Sequence, residues 1–301
     1  VSVEERTTSG SGRIPAPRSG GPEPSSRPRR RRVDVLGYTG LVVAGLVMVV
    51  PMLWMLLASF KQRNEIYTIP ARWLPSALQW QNYADVFATV PFAHFLLNSV
   101  ITTVAGAGLK VVLGLMCAYA LVFVEFPAKR LVFLVVLAAL MVPPQVTLIP
   151  NYTLIAQVGW LNSYQGIVLP GLASSLGTFL FRQHFQTLPV SVLEAATLDG
   201  AGHWRRLWQF VVPLSAPTVS AVALVSVVGE WNQYLWPLLV TDRSDMMTLP
   251  VGLTLLQNND GITNWGVLMA GTVLVMLPIL LVFLFFQRRL VAGLATGAVA
   301  N

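Results

Sequence analysis

The chain has 301 residues, 54% of them hydrophobic and 11% charged, with a mean hydropathy of +0.63 and a formal net charge of +7. Soluble domains carry about 25% charged residues, so this composition excludes an ordinary soluble enzyme and indicates an all-α polytopic membrane protein. The excess of positive charge does not indicate a nucleic-acid partner, because eight of the twenty Lys and Arg lie in the first 32 residues, the placement of an orientation signal.

Residues 1–32 are rich in Pro, Ser, Gly and Arg and contain no aromatic residue. Such a segment buries too little apolar surface to offset its ordering entropy, and a disordered basic tail is expected. Arg29 to Arg32 stand directly before the first apolar run. That run is too long for a signal peptide, and no small-residue cleavage site follows it.

Six runs are long enough to cross a bilayer: 37–60, 95–124, 131–157, 165–185, 214–240 and 264–286. Between the first two, segment 61–94 carries Tyr67, Trp73, Trp80, Tyr83, Phe87 and Phe92, which predicts short interfacial helices. In the second run, Thr102, Gly106, Lys110, Gly114 and Ala118 recur at spacing four and share one small, polar face. The lone Cys117 reads as a packing residue. His94, His184 and His203 stand apart, so no metal site is expected. Pro143, Pro144 and Pro150 interrupt the third run and Pro170 the fourth. Broken helices at membrane depth persist where protein or a water-filled cavity satisfies the freed backbone groups.

A polar segment then separates runs four and five. Ser191-Val-Leu-Glu194 has the spacing of a capping box, which predicts a short helix from about Val192. Asp199-Gly200 ends it with a residue suited to the left-handed cap. Trp204, Leu207, Trp208 and Val211 follow at i, i+3, i+4 and i+7, the apolar face of a second helix that meets run five at Pro213. Ala195 and Ala196 give a small flank. The pattern fits either an amphipathic linker on lipid headgroups or a docking element for another protein.

Run five holds Glu230, followed by Trp231, Asn232, Gln233, Tyr234 and Trp236. Intramembrane ionisable residues such as Lys110 and Glu230 usually face the bundle interior and often mark a pathway; the two also stand at depths that allow a structural ion pair. The aromatic and amide cluster suits polyol or sugar recognition and equally suits an interfacial belt. A polar loop, 241–263, contains Asn258, Asn259, Asp260 and Gly261.

With the N-terminus inside, the inner segments hold fifteen Lys and Arg and the outer segments four, namely Lys61, Arg63, Arg72 and Arg243. That asymmetry predicts both termini in the cytoplasm, and the segment between runs four and five with them.

Glu194-Ala195-Ala196, then Gly200, then Phe210-Val-Val-Pro213 resembles the cytoplasmic EAA loop of bacterial ABC importer permeases. The family has Ile and Leu where this chain has Phe210 and Val212, which preserves apolar character. Ser59-Phe-Lys61, Asn98-Ser99, Trp231-Asn232 with Leu235-Trp-Pro-Leu238, and the ending Gly293 to Val299 extend the resemblance over residues 37–301, to the smaller permease of carbohydrate importers. The stretches 178–185, 230–242 and 250–266 and the lysine of run two resemble the glycerol-3-phosphate and glycerophosphodiester branch.

The resemblance implies a type I ABC importer transmembrane domain over residues 33–301, with a coupling loop at 186–213, in a bacterial plasma membrane. It implies a second homologous permease, two ATPase subunits inside, which use ATP and Mg, and an external binding protein. Glu194, Ala195, Ala196, Asp199, Gly200, Trp204 and Leu207 would form the coupling surface. Lys110 would offer positive potential to a phosphate in transit, or pair with Glu230. Trp231, Asn232, Gln233, Tyr234 and Trp236 are the other pathway candidates. The chain has no G-x-x-x-x-G-K-[ST] motif and no catalytic Ser/His/Asp set, so no catalysis and no cofactor of its own are expected. The alternatives are a permease for a neutral sugar or oligosaccharide, an ion-gradient-driven secondary transporter, and a membrane scaffold without a transport role.

Overall fold

The computed structural model describes residues 30–70, 72–257 and 263–298, with side chains described for 35–70, 72–257 and 263–286. The loop residues Asn258 to Gly261, the tail to Arg29 and the side chains of Gly293 to Val299 lie outside these limits. The chain divides into two units, 1–51 and 52–301. The first contributes most of α1 (Arg30–Ser59), an apolar helix with Pro51 inside it. This helix begins three residues inside the segment expected to be tail.

The elements described in the second unit are all helical. It comprises α2 (Gln81–Thr89), α3 (Phe92–Phe123), α4 (Lys129–Leu140), α5 (Leu148–Gln157), α6 (Tyr164–Val168), α7 (Ser175–Phe185), α8 (Val190–Leu198), α9 (His203–Arg206), α10 (Val212–Leu214), α11 (Ala216–Trp231), α12 (Leu235–Val240), α13 (Leu249–Gly252) and α14 (Trp265–Ala298). Of the expected interfacial helices in 61–94, one forms, α2. The remainder of that segment is a loop tied by side chains. Asn82 Nδ2 donates to the Ser59 and Lys61 carbonyls at 2.8 and 2.9 Å, and Glu65 accepts from the Gln62 and Ser76 backbone N–H groups.

α3 is the axis of this unit. Both α7 and α11 pack along it, and α14 packs on α11 and α2. At 1.5 Å per residue its 32 residues span roughly 48 Å, and each end carries its own core. Phe92 and Phe95 join Val86, Trp231, Leu249 and Val267 at one end. Leu115, Ala118 and Tyr119 join Phe181, Phe185, Leu193, Leu207 and Val211 at the other. Gly114, on the small face read at spacing four, lies against Phe181: a Cβ there would stand 3.4 Å from the ring, an ordinary contact.

Among the described residues, three helices are long and apolar enough to cross a membrane, or up to five when each bent pair counts as one. The third run bends by 95° between α4 and residues 144–157, at Pro143 and Pro144, as expected where proline removes helix hydrogen bonds. The fourth run is not one helix: α6 and α7 are separated by a tight turn at Leu169–Gly171 that contains Pro170.

Candidate functional site

Lys110 lies near the middle of α3, and its ammonium forms an ion pair with the Glu230 carboxylate near the end of α11. Both side chains are largely buried, at 19% and 11% exposure. Gly106, one turn before Lys110, makes room for the pair. A Cβ there would lie 2.9 Å from Glu230 Oε2, inside ordinary contact distance.

The pair borders two cavities. One, of about 580 Å³, is lined by Lys110, Asn151, Ser175, Gln233 and Trp236 among others. The other, of about 210 Å³, is lined by Lys110, Ser174, Ser226, Glu230 and Gln233 among others. The Lys110 ammonium lies beside Gly171, where a Cβ would stand 3.7 Å away. Pro144, Thr147 and Leu148 at the break of the third run also line the larger cavity, so the irregular backbone there borders open space. The result is an ammonium, hydroxyls and amides set in apolar walls, suited to holding a polar solute.

The structure separates the expected pathway residues. Gln233 touches both cavities, and Trp236 walls the larger one while its Nε1 donates to the Gly166 and Ile167 carbonyls at 3.1 and 3.0 Å. Asn232 and Tyr234 line an adjoining cavity of about 330 Å³. Trp231 is buried in the core, with Nε1 donating to the Val275 carbonyl at 3.1 Å, and lines none of these cavities. Asn151 and Ser175 were not singled out from sequence, where the broken runs that carry them were the only signal.

At the far end of α3 the polar segment folds as a helical elbow. Its first helix does not start with a capping box. α8 begins at Val190 after Pro189, and Ser191 sits inside the helix with no cap made by its side chain. The Glu194 side chain is exposed and has no hydrogen-bond partner among the described residues, so it orients nothing through a cap. The end of α8 is as expected. Gly200 has φ of +75°, its N–H donates to the Thr197 carbonyl, and the Ala201 N–H donates to the Ala196 carbonyl at 2.9 Å. These two bonds form a Schellman motif.

α9 runs through a π-helical turn, Leu207–Val211, into α10, and the chain then bends by 86° into α11. Ala196, Leu207 and Val211 point into the core. Trp204 does not share their face; it is 65% exposed. Glu194, Ala195, Asp199, Gly200 and Trp204 therefore form the outward surface, together with Leu198, which is 89% exposed and was not anticipated.

A polar relay fastens the elbow to α3. Tyr119 Oη lies 3.2 Å from His203 Nδ1, and an Arg206 guanidinium nitrogen lies 2.8 Å from the same Nδ1. A guanidinium only donates, so Nδ1 accepts there. Arg206 also donates to Thr197 Oγ1 at 3.0 Å, which joins α9 to α8.

The family described as binding-protein-dependent transport system inner membrane component matches residues 110–296. The chain belongs to this family. The sn-glycerol-3-phosphate transport system permease protein UgpE of Pectobacterium atrosepticum is 36% identical over 272 residues, covering 88% of this chain and 97% of the relative. The diacetylchitobiose uptake system permease protein NgcG of Streptomyces coelicolor is 35% identical over 270 residues, covering 89% of each. The crystal structure of a bacterial ABC transporter involved in the import of the acidic polysaccharide alginate superposes with a TM-score of 0.75 at 21% identity, covering 87% of this chain and 99% of that one. The permease thus has the all-helical fold of an ABC importer, and its apolar helices embed it in a membrane. Among its described residues no group of three or more His, Cys, Asp or Glu is placed to hold a metal.

Proposed function

We propose that this permease forms half of the translocation pathway of an ATP-driven, binding-protein-dependent importer for glycerol-3-phosphate or a glycerophosphodiester such as glycerophosphocholine. The observation that carries the reading is the 36% identity to a glycerol-3-phosphate permease over 88% of the chain. The buried ammonium at the cavity margin supports it. Glu230 neutralises Lys110 in the resting arrangement, so a phosphate that enters competes with the carboxylate for the same ammonium. The near-equal identity to the diacetylchitobiose permease favours a second reading, a neutral oligosaccharide, in which Gln233 and Trp236 bind the solute and the ion pair only packs.

The chain itself catalyses nothing in this scheme and binds no cofactor. Six crossings place both termini in the cytoplasm of a bacterial cell, with residues 1–32 as a tail. A second homologous permease completes the pathway, an external binding protein delivers solute, and two ATPase subunits consume ATP with Mg. The elbow's outward surface, from Glu194 to Trp204, docks on an ATPase. Its movement reaches α3 through Tyr119 and His203. A secondary transporter would instead run on an ion gradient; uptake that survives ATP depletion would identify one.

The test replaces the pair as a unit. Removing one member of a buried ion pair costs about 3–5 kcal/mol, so single variants confuse folding with transport. Lys110→Gln with Glu230→Gln keeps size and neutrality. The complex should assemble and hydrolyse ATP, while uptake of labelled glycerol-3-phosphate drops on the order of tenfold or more, as expected for a lost hydrogen bond to a charged group. Unchanged uptake would end the phosphate role of Lys110. The ligand retained by the cognate binding protein separates the two substrate readings.

A further inference from the structure

A second cluster of cations lies away from the Lys110 pair. α4 begins with Lys129 and Arg130, and Arg182 lies in the last turn of α7. The two helices pack together. Between them is a cavity of about 490 Å³, lined by Lys129, Arg130, Phe133, Leu134, Arg182 and Gln186 and closed by the end of α3.

Two of the three cations are held in place, and none is neutralised. Lys129 Nζ donates to the Val122 and Val124 carbonyls at 3.0 Å each, leaving one of its three N–H groups. The Arg182 guanidinium lies 3.8 Å over the Phe133 ring. Its buried Nε has no hydrogen-bond partner among the described residues, and its NH1 makes a long contact of 3.4 Å with Gln186. Arg130 is exposed. None of the three has a carboxylate within ion-pair distance among the described residues. Like charges around one cavity repel, and an anion among them reverses the sign of the interaction.

The remaining wall selects the kind of anion. Phe133 and Leu134 lie on α4 beside the cations, and Leu134 is 58% exposed. A free phosphate gains nothing from that apolar flank, whereas a phospholipid satisfies both sides at once. Basic pockets between membrane helices suit anionic headgroups in this way. We propose that this cavity binds the headgroup phosphate of an anionic phospholipid, with the acyl chains lying along α4 at Phe133 and Leu134. Only Gln186 to Pro189 separate α7 from α8, so the bound lipid braces the helix that leads into the elbow.

The test uses the assembled transporter, purified from bilayers containing phosphatidylglycerol and phosphatidylcholine, with retained lipid weighed by native mass spectrometry. The wild-type complex should keep phosphatidylglycerol in preference to phosphatidylcholine. Arg130→Gln, at an exposed position, should lower that retention roughly fivefold, and Lys129→Gln with Arg182→Gln should lower it further by a similar factor per charge. Equal retention of the two lipids by the wild type overturns the proposal. So does displacement of the lipid by millimolar inorganic phosphate, which would mark a simple anion site, or a crosslink from Leu134 to the partner permease that excludes lipid. Retention is read without transport, so failure here leaves the permease assignment standing.

Discussion

A Cβ at residue 200 would meet no atom within 4 Å, yet Gly200 is required by its backbone, with φ of +75°. The left-handed conformation costs an L-residue about 1–2 kcal/mol, and more when the side chain is β-branched. Asn tolerates it. Gly200→Asn should therefore retain uptake, whereas Gly200→Val should reach the membrane in normal amount and lose transport-coupled ATP hydrolysis. Full uptake by the valine variant would remove the elbow from the coupling path. This glycine was legible in the sequence because a turn after a helix states its own need. Gly106 was legible only as part of a small face; that its missing Cβ accommodates Glu230 depends on a residue more than a hundred positions away.

The elements show where local pattern fails. Ser191 and Glu194 have capping-box spacing, but Pro189 starts the helix earlier and leaves Ser191 inside it. Proline fixes its own φ and suits a helix entry, and that preference overrides the serine signal. Trp204 was assigned to the buried stripe by a period of 3.6. The buried residues instead run Leu207, Val211 and Ser215 at spacing four, through a π-helical turn at Leu207–Val211 that widens the winding, while Trp204, ahead of that turn, is exposed. The loop after α1 makes a prediction of its own. The Ser76 side chain, with the backbone N–H groups of Gln62 and Ser76 and the nearby Arg72 charge, holds the Glu65 carboxyl below its ordinary pKa, against the opposing effect of burial. A depressed carboxylate pKa stabilises the fold above the unfolded value, and that contribution is lost as pH falls through the folded value. Amide protection factors in 62–76, taken relative to the intrinsic exchange rate at each pH, should thus fall on acidification in the wild type. In Glu65→Gln protection should already be low at neutral pH and change little with acid.

For the whole molecule, hydropathy and charge placement gave the class and the number of apolar runs, while the bends were visible only as prolines. The fourth run shows the limit. Composition permits a crossing there, but α7 has 11 residues, about half the length a straight span needs. Sidedness is open to direct measurement. With Cys117 replaced by Ser, a cysteine at the exposed Ala88 in α2 should react with a membrane-impermeant thiol reagent on intact cells. One at the exposed Gln209 in the elbow should react only after the membrane is opened. The reverse pattern would invert the topology and detach the elbow from any internal ATPase.

Asn98 near the start of α3 donates to the carbonyls of Asp245 and Met247 at 2.8 and 2.9 Å and accepts from the Tyr164 hydroxyl at 2.7 Å. Its neighbour Ser99 accepts from the Leu249 N–H at 2.8 Å. Two stretches distant in sequence, α6 and 245–249, are thereby riveted to one turn of α3. A transporter built this way does not open like petals at that rim. Its α3, α6 and 245–249 segments travel as a single plate, and the flexing has to occur further along the bundle, past the point where the last rivet ends.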